Sequence, residues 1–202
     1  MLSGSRHTVH ELDPPFIPKT IEYIRDIATR PDLQHLKIVG ICFGHQIVSM
    51  AMGGTSERGQ NGWEMGVYGC TVTPEGRDMF PNFGDHRPNP DKLFIQQMHR
   101  DQVPAPPPGF VTCLKTEKYP VQAMVKYHDS SKVPHIFTIQ GHPEFVPELV
   151  DTMVEVRAEN GVIDEATATE ARRRVWGKDK QGGEGLGCVG WSVWRMILSG
   201  SP

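Results

Sequence analysis

Residues 40–46 read GICFGHQ and stand where a short apolar run, 37–41, gives way to a sequence that favours helix. Glycine two positions before and two positions after a cysteine is the pattern of a nucleophile elbow, in which a tight strand-to-helix turn lifts the reactive side chain into a cleft. A helix N-terminus favours negative charge there, and the thiolate is the nucleophilic form of cysteine. The pattern predicts Cys42 as a nucleophile and leaves a buried structural cysteine as the alternative.

A second motif follows a second predicted strand. The strand covers residues 135–140, and GHPEF at 141–145 comes directly after it. His142 and Glu144 should therefore lie at the carboxyl end of a strand, the edge where catalytic groups gather in open α/β sheets. A cysteine nucleophile needs a base, and the base needs a third group that orients it. Cys42, His142 and Glu144 supply one of each, although the last two could instead cap the strand and begin a helix.

Together the two motifs resemble those of the class I glutamine amidotransferase family. The resemblance runs from residue 2 to about residue 198 and is closest to stand-alone members, the γ-glutamyl peptidases among them. It implies an α/β fold of three layers, flavodoxin-like, with a mostly parallel sheet and a small antiparallel insertion, in a single domain over residues 1–202. It also implies hydrolysis of a γ-glutamyl amide bond through a thioester on Cys42, with no metal and no organic cofactor.

The resemblance also implies oxyanion donors and substrate contacts. The backbone amides of Phe43 and Gly4 would stabilise the oxyanion, and losing one such donor typically costs about 2.7–4 kcal/mol. Gln46, His99 and Glu64 would contact the substrate. Taken alone, Gly4 could belong to a flexible terminus and Gln46 could be an ordinary polar residue of the first helical turn. His99, expected to be exposed, could serve a turn, and Glu64 could pair with a lysine across a strand.

The start of the chain departs from the family pattern. Family members carry a strand, a helix and a second strand before the oxyanion loop, whereas this chain begins almost on that loop, LSGS at residues 2–5. We therefore expect an N-terminally truncated form of the fold, which lacks a strand that is normally buried in the parallel sheet. A hypothesis of another class follows, a non-catalytic binding domain that keeps the three side chains but has lost activity.

Bulk properties narrow the class of protein. The chain has 202 residues, enough for one α/β domain, and a formal net charge of −3, which argues against a nucleic-acid binder. No apolar run approaches the length of about 20 residues that spans a bilayer, so we predict no membrane association and a cytoplasmic location. The predicted partners are a small-molecule substrate, glutamine or a γ-glutamyl compound, and optionally a separate synthase chain. The cysteines, Cys42, Cys70, Cys113 and Cys188, lack the spacing of a zinc site or disulfide scaffold.

Periodicity and turn signals predict the remaining elements. Helices are expected over 15–29, with Asp13 as a cap, over about 45–52 and over 147–160, and His45 is expected to pack rather than act as a base. Short runs rich in β-branched and aromatic residues predict the antiparallel insertion. These runs are 63–68, 69–73, 93–98, 110–116 and 121–127, with a surface loop at 81–90, a flexible glycine-rich connector at 182–187 and a final apolar segment at 191–198.

Overall fold

The computed structural model describes residues 1–11, 15–80, 91–128, 131–176 and 184–200, with the side chains of residues 184 and 185 excepted. The helices are α1 Phe16–Thr29, α2 Phe43–Ala51, α3 Pro147–Glu159, α4 Glu165–Val175 and α5 Glu184–Leu198. The strands are β1 Ile38–Ile41, β2 Glu57–Arg58, β3 Glu64–Val72, β4 Lys92–His99, β5 Asp101–Gln102, β6 Phe110–Lys115, β7 Ala123–Tyr127 and β8 Pro134–Ile139. Short 3-10 helices cover Pro31–Leu33 and Glu75–Asp78.

Six strands form one sheet in the order β1-β8-β7-β6-β3-β4. β1 pairs with β8 in parallel, and Leu2 adds a parallel bridge to Gly40 on the other side of β1. The strands predicted as a small insertion continue this same sheet with antiparallel pairs, so the antiparallel part is larger than expected among the described residues. This continuation is possible because a strand edge can bond a neighbour of either direction, as β8 does between β1 and β7.

Helices cover both faces of the sheet. Successive residues of β8 point to opposite faces, and Ile136 packs with α1 and α2 while Phe137 packs with α5. α5 contributes Val189 and Met196 to that second core. The arrangement is three-layered, and it brings the carboxyl ends of β1 and β8 together in register, with Ile41 opposite Ile139.

Most predicted elements are confirmed, with one clear error. The runs at 63–68 and 69–73 belong to a single strand, β3. The connector predicted at 182–187 is wrong for residues 184–187, which belong to α5. Burial of the helix against the core outweighs the low helix propensity of its glycines. Asp13, the loop at 81–90 and residues 182–183 lie outside the described residues.

No helix in the part of the chain that the structure describes is long and apolar enough to cross a membrane. Cys70 and Cys113 are buried in the core beneath α5, and no disulfide joins the described cysteines. Burial raises the pKa of the Cys113 thiol to about 12, so this cysteine stays protonated at neutral pH.

Candidate active site

Cys42 lies on a sharp turn between β1 and α2. Its φ of 52° and ψ of −106° make it the sole non-glycine residue with positive φ among the described residues. Such a conformation costs of order 1–3 kcal/mol and persists only where surrounding bonds hold it. The Cys42 amide donates to the Ile139 carbonyl at 2.8 Å, and the Cys42 carbonyl accepts from the His45 amide at 2.9 Å. The turn is therefore anchored to β8 on one side and to α2 on the other.

The two glycines of the elbow are required by close backbone contact. A Cβ atom at Gly40 would lie 2.5 Å from the Gly44 carbonyl oxygen. A Cβ atom at Gly44 would lie 2.9 Å from the Leu2 carbonyl carbon, and real Cβ atoms essentially never come within 3.0 Å of a neighbour. The spacing that predicted the elbow thus has a steric cause, since the strand, the helix start and the N-terminal segment touch at these two positions.

His142 and Glu144 form a hydrogen-bonded pair on the loop after β8. The Nδ1 atom of His142 lies 2.9 Å from Oε1 of Glu144. The His142 amide donates to the Gln96 carbonyl at 2.8 Å, and the Phe145 ring stacks on the imidazole with centroids 3.8 Å apart. The imidazole is buried, whereas the Glu144 side chain is about one third exposed. These contacts from three directions fix the orientation of the ring.

His142 pairs with Glu144, and the predicted group of Cys42, His142 and Glu144 as a triad stays a prediction. Burial alone would lower the pKa of His142, but hydrogen bonds with Cys42 and Glu144 outweigh it and raise the pKa to about 9. Because Nδ1 faces Glu144, the other ring nitrogen, Nε2, is the one left for the Cys42 sulfur. The imidazole is therefore oriented by Glu144, and its role toward the sulfur stays a prediction.

The predicted oxyanion donors lie beside this group. A Cβ atom at Gly4 would be 3.2 Å from Cε1 of His142, so the N-terminal segment passes directly over the imidazole. Leu2 holds that segment to β1, donating to the Val39 carbonyl and accepting from the Ile41 amide, both at 2.8 Å. Phe43 is the first residue of α2, where a backbone amide has no acceptor within the helix.

Gln46 uses its side-chain amide within the protein. Its Nε2 atom donates to the Asp101 carbonyl at 3.2 Å and to Oε1 of Gln140 at 3.1 Å. Gln140 immediately precedes the loop that carries His142, so this amide ties the first turn of α2 to the end of β8. A substrate contact by Gln46 stays a prediction, and the nitrogen that would make it is engaged twice.

Glu64 and His99 pair with each other within the sheet, and a substrate contact by either stays a prediction. Both are buried, and they face each other across β3 and β4, with the His99 Nε2 atom 3.0 Å from Oε2 of Glu64. Glu64 also accepts hydrogen bonds from Thr116 at 2.7 Å and from Gln122 at 2.6 Å. The expectation that His99 is exposed is wrong, and the cross-strand partner of Glu64 is this histidine rather than a lysine. A buried carboxylate needs such donors, and here strand pairing supplies them.

His45 has the packing position expected from its place in the helix. Its Nδ1 atom lies 2.8 Å from Oγ1 of Thr138, and the side chain is fully buried. Burial lowers the pKa of His45 to about 3, so the ring is neutral at physiological pH. The sequence reasoning overlooked Gln140, which directly precedes the GHPEF motif, and Phe145, which is its last residue. Among the described residues, no group of three or more histidine, cysteine and carboxylate side chains could hold a metal ion.

A comparison with models of known protein families shows which family this chain belongs to. Residues 2–157 match the family described as glutamine amidotransferase class-I. This match covers more than half of the chain, so the protein belongs to that family.

Two curated relatives support the same assignment. A glutamine amidotransferase-like protein of Schizosaccharomyces pombe is 33% identical over 174 residues, which cover 86% of this chain and 63% of that protein. Gamma-glutamyl peptidase 5 of Arabidopsis thaliana is 33% identical over 149 residues, 69% of this chain and 56% of that protein. The chain thus spans about three fifths of the length of these curated relatives.

The α/β fold class is confirmed by a solved structure. A glutamine amidotransferase from Thermotoga maritima superposes with a TM-score of 0.71 and covers 97% of this chain and 77% of its own. The two sequences are 22% identical, so this likeness speaks for the fold alone.

Proposed function

We propose that the protein is a cysteine-dependent hydrolase of γ-glutamyl amide bonds, with Cys42 as nucleophile, His142 as acid and base, and Glu144 as the group that orients the imidazole. One observation carries the proposal: a buried imidazole pairs with a carboxylate on the loop after β8, and the end of that strand is hydrogen-bonded to the strained elbow that bears Cys42. If each of these three side chains had only a structural role, nothing would require them to lie at neighbouring strand ends. The thioester, the substrate and the residue roles are all part of the proposal.

The chemistry follows from where the proton lies. Because the pKa of His142 is about 9, the ring holds a proton at neutral pH and can deliver it to a leaving nitrogen, while the thiolate is the attacking form of any cysteine nucleophile. The Cys42 sulfur attacks the amide carbon, and the C–N bond breaks as His142 passes its proton to the leaving nitrogen. Water then attacks the thioester, His142 takes the proton from it, and glutamate leaves as Cys42 is regenerated.

Charge on the carbonyl oxygen needs stabilisation in both half-reactions. The amide of Phe43, at the start of α2, and the amide of Gly4, beside His142, are the proposed donors. The helix N-terminus at Phe43 adds a favourable dipole for negative charge. Gly4 depends on the two hydrogen bonds that Leu2 makes with β1, so this half of the oxyanion hole is held by the N-terminal segment.

The leading substrate is glutamine, and the second candidate is a γ-glutamyl conjugate. The second is favoured by the resemblance to an Arabidopsis thaliana γ-glutamyl peptidase. Both reactions use the same nucleophile and differ in the leaving group, ammonia or an amine. Assaying glutamine beside γ-glutamyl dipeptides separates them. Ammonia could be passed to a separate synthase chain, and release of all ammonia to solvent, unchanged by candidate synthases, would contradict that partner.

The decisive test is alkylation and substitution of the nucleophile. A diazo-ketone analogue of glutamine should label Cys42 alone, as seen by peptide mass spectrometry, and Cys42→Ala should abolish both labelling and hydrolysis. Cys188→Ala, which removes another partly exposed thiol, is the matched control and should retain both. Hydrolysis that survives Cys42→Ala would falsify the assignment. Absent labelling together with absent hydrolysis in the wild-type protein would favour the non-catalytic binding domain.

A further inference from the structure

Phe145 places its ring flat against the imidazole of His142. The two ring planes are nearly parallel, with an angle of 8° between them, and their centroids are 3.8 Å apart. The Phe145 amide also donates to the His142 carbonyl at 3.2 Å, so the chain turns back on itself and brings the two rings together. The contact is therefore built into the loop after β8.

Core residues of the helix layer hold the phenyl ring in place. Phe145 is half-buried and packs against a cluster that contains Met98 of β4 and two residues of α3, Val150 and Val154. Both valines are fully buried, so the support for the ring belongs to the core of the protein. The ring that faces His142 consequently has a fixed position.

The geometry of this pair is unfavourable for two neutral rings. The faces of neutral aromatic rings both carry negative potential, so such pairs prefer offset or edge-to-face arrangements with centroids about 4.5–7 Å apart. Phe80 and Phe137 follow that preference, with an angle of 76° and centroids 6.1 Å apart. The pair of Phe145 and His142 is the closest and the most nearly parallel of the ring pairs among the described residues.

A proton on the imidazole reverses the sign of this interaction. A cation over the face of an aromatic ring is attracted by the negative potential of that face, and more strongly where water is excluded, as it is at the buried His142. The titratable groups near the imidazole are Cys42 of the elbow and Glu144, whose Oε1 atom lies 2.9 Å from Nδ1. The other contacts of this residue come from the Gln96 carbonyl and from Gly4, which carry no titratable side chain.

We propose that Phe145 is a positioning residue whose ring face stabilises the protonated form of His142 and fixes the plane of the imidazole. The inference rests on the proposed function, in which the protonated ring delivers its proton to the leaving nitrogen. Loss of the phenyl ring leaves the hydrogen bond with Glu144 in place, but His142 then gives up its proton at a lower pH. The range of pH in which the imidazole can act as an acid becomes narrower.

The test measures the pKa of His142 by NMR titration of the protein. The chain has nine histidines, so the signal of His142 is assigned by its absence from the His142→Gln variant. Phe145→Leu removes the ring but keeps an apolar side chain, and it should lower the measured pKa by about 0.4–1.5, the range expected from the strength of cation–π contacts. The alkaline limb of kcat/KM, for glutamine or for a γ-glutamyl dipeptide, should move by the same amount. Phe145→Tyr keeps an aromatic face and should restore both values.

Two controls separate the ring face from packing. Trifluorophenylalanine, introduced at position 145 by nonsense suppression, preserves the shape of the ring but weakens the negative potential of its face. It should therefore lower the pKa of His142 even if Phe145→Leu disturbs the fold. Phe16→Leu removes a ring that meets His7 edge-on, with centroids 5.7 Å apart, and it should leave the pKa of His142 unchanged.

Three results would overturn the inference. An unchanged pKa of His142 in the leucine and trifluorophenylalanine proteins would mean that Phe145 acts through packing alone, even if hydrolysis slowed. Equal shifts in Phe145→Leu and Phe145→Tyr would exclude the ring face as the cause. A lowered pKa with an unmoved alkaline limb would mean that the contact does not serve the reaction. A wild-type protein that hydrolyses neither substrate, but whose His142 responds to these changes as expected, would overturn the proposed function alone.

Discussion

Gly44→Ala should destabilise the protein even though alanine is the better helix former. The new Cβ atom would lie 2.9 Å from the carbonyl carbon of Leu2 and 3.1 Å from its Cβ atom, and closer still to its carbonyl oxygen. Most of these atoms belong to backbone that is hydrogen-bonded to β1, so they cannot rotate away as a flexible side chain could. The steric overlap can be removed only if Leu2 moves away from the edge of the sheet.

The magnitude follows from what that movement breaks. Leu2 would lose its two main-chain hydrogen bonds, each worth about 0.5–1.5 kcal/mol net, together with part of its side-chain burial. The higher helix propensity of alanine offsets about 0.8–1.0 kcal/mol of this loss. We therefore expect the free energy of unfolding to fall by about 1–3 kcal/mol. The oxyanion segment through Gly4 should move as well, and the alkylation rate of Cys42 should change with it.

Gly190→Ala is the matched control, because Gly190 also lies in a helix and a Cβ atom there meets nothing within 4 Å. This change should stabilise the protein by up to about 1 kcal/mol. Equilibrium urea unfolding of both variants and the wild type, monitored by far-ultraviolet circular dichroism, gives the comparison. If Gly44→Ala unfolds at the same or a higher urea concentration than the wild type, the steric account of the elbow is refuted.

Three further predictions concern buried polar groups. The pKa of His142 is raised from 6.5 to about 9, so its contribution to stability is fully present below pH 6.5 and is lost as the pH rises through 9. The free energy of unfolding, measured by urea unfolding, should therefore fall by up to about 3 kcal/mol between these two pH values. If the His142→Gln variant shows the same pH dependence of the unfolding free energy as the wild type, this account is wrong. Glu64→Ala should cost about 1–3 kcal/mol or more because it leaves His99 and two other buried partners without a hydrogen bond, whereas Glu64→Gln should cost less. Equal urea midpoints for the two variants would contradict the role of these hydrogen bonds. Thr138→Val should lower the free energy of unfolding by about 1–3 kcal/mol because it removes the hydrogen bond to His45. Thermal unfolding measures this loss, and a melting temperature equal to that of the wild type would exclude it.

Much of the candidate site could be predicted because its signals are local. The two glycines around Cys42 are required by contacts within one turn of backbone and its nearest neighbour. His142 and Glu144 are two positions apart on one loop, so their pairing needs no distant residue. Short-range sterics and loop geometry leave a readable spacing in the sequence, and the resemblance to a known family rests on that spacing.

The roles of Glu64 and His99 were harder to predict, because strand pairing decided them. Nothing in the residues near Glu64 indicates that β3 and β4 place it opposite His99, with donors from Thr116 and Gln122 around it. Exposure was therefore misjudged for His99. The same limit applied to the sheet, since local patterns predicted the strands of the insertion but not that they extend the sheet begun by β1.

The sequence by itself thus determined the strand-helix elbow and the nucleophile, histidine and carboxylate candidates, because glycine spacing and loop order are properties of the chain. Only the tertiary structure decided that His99 pairs with Glu64 and that Gln46 is bound to Gln140. These relations join residues far apart along the chain. They depend on packing and strand register, which a linear sequence does not display.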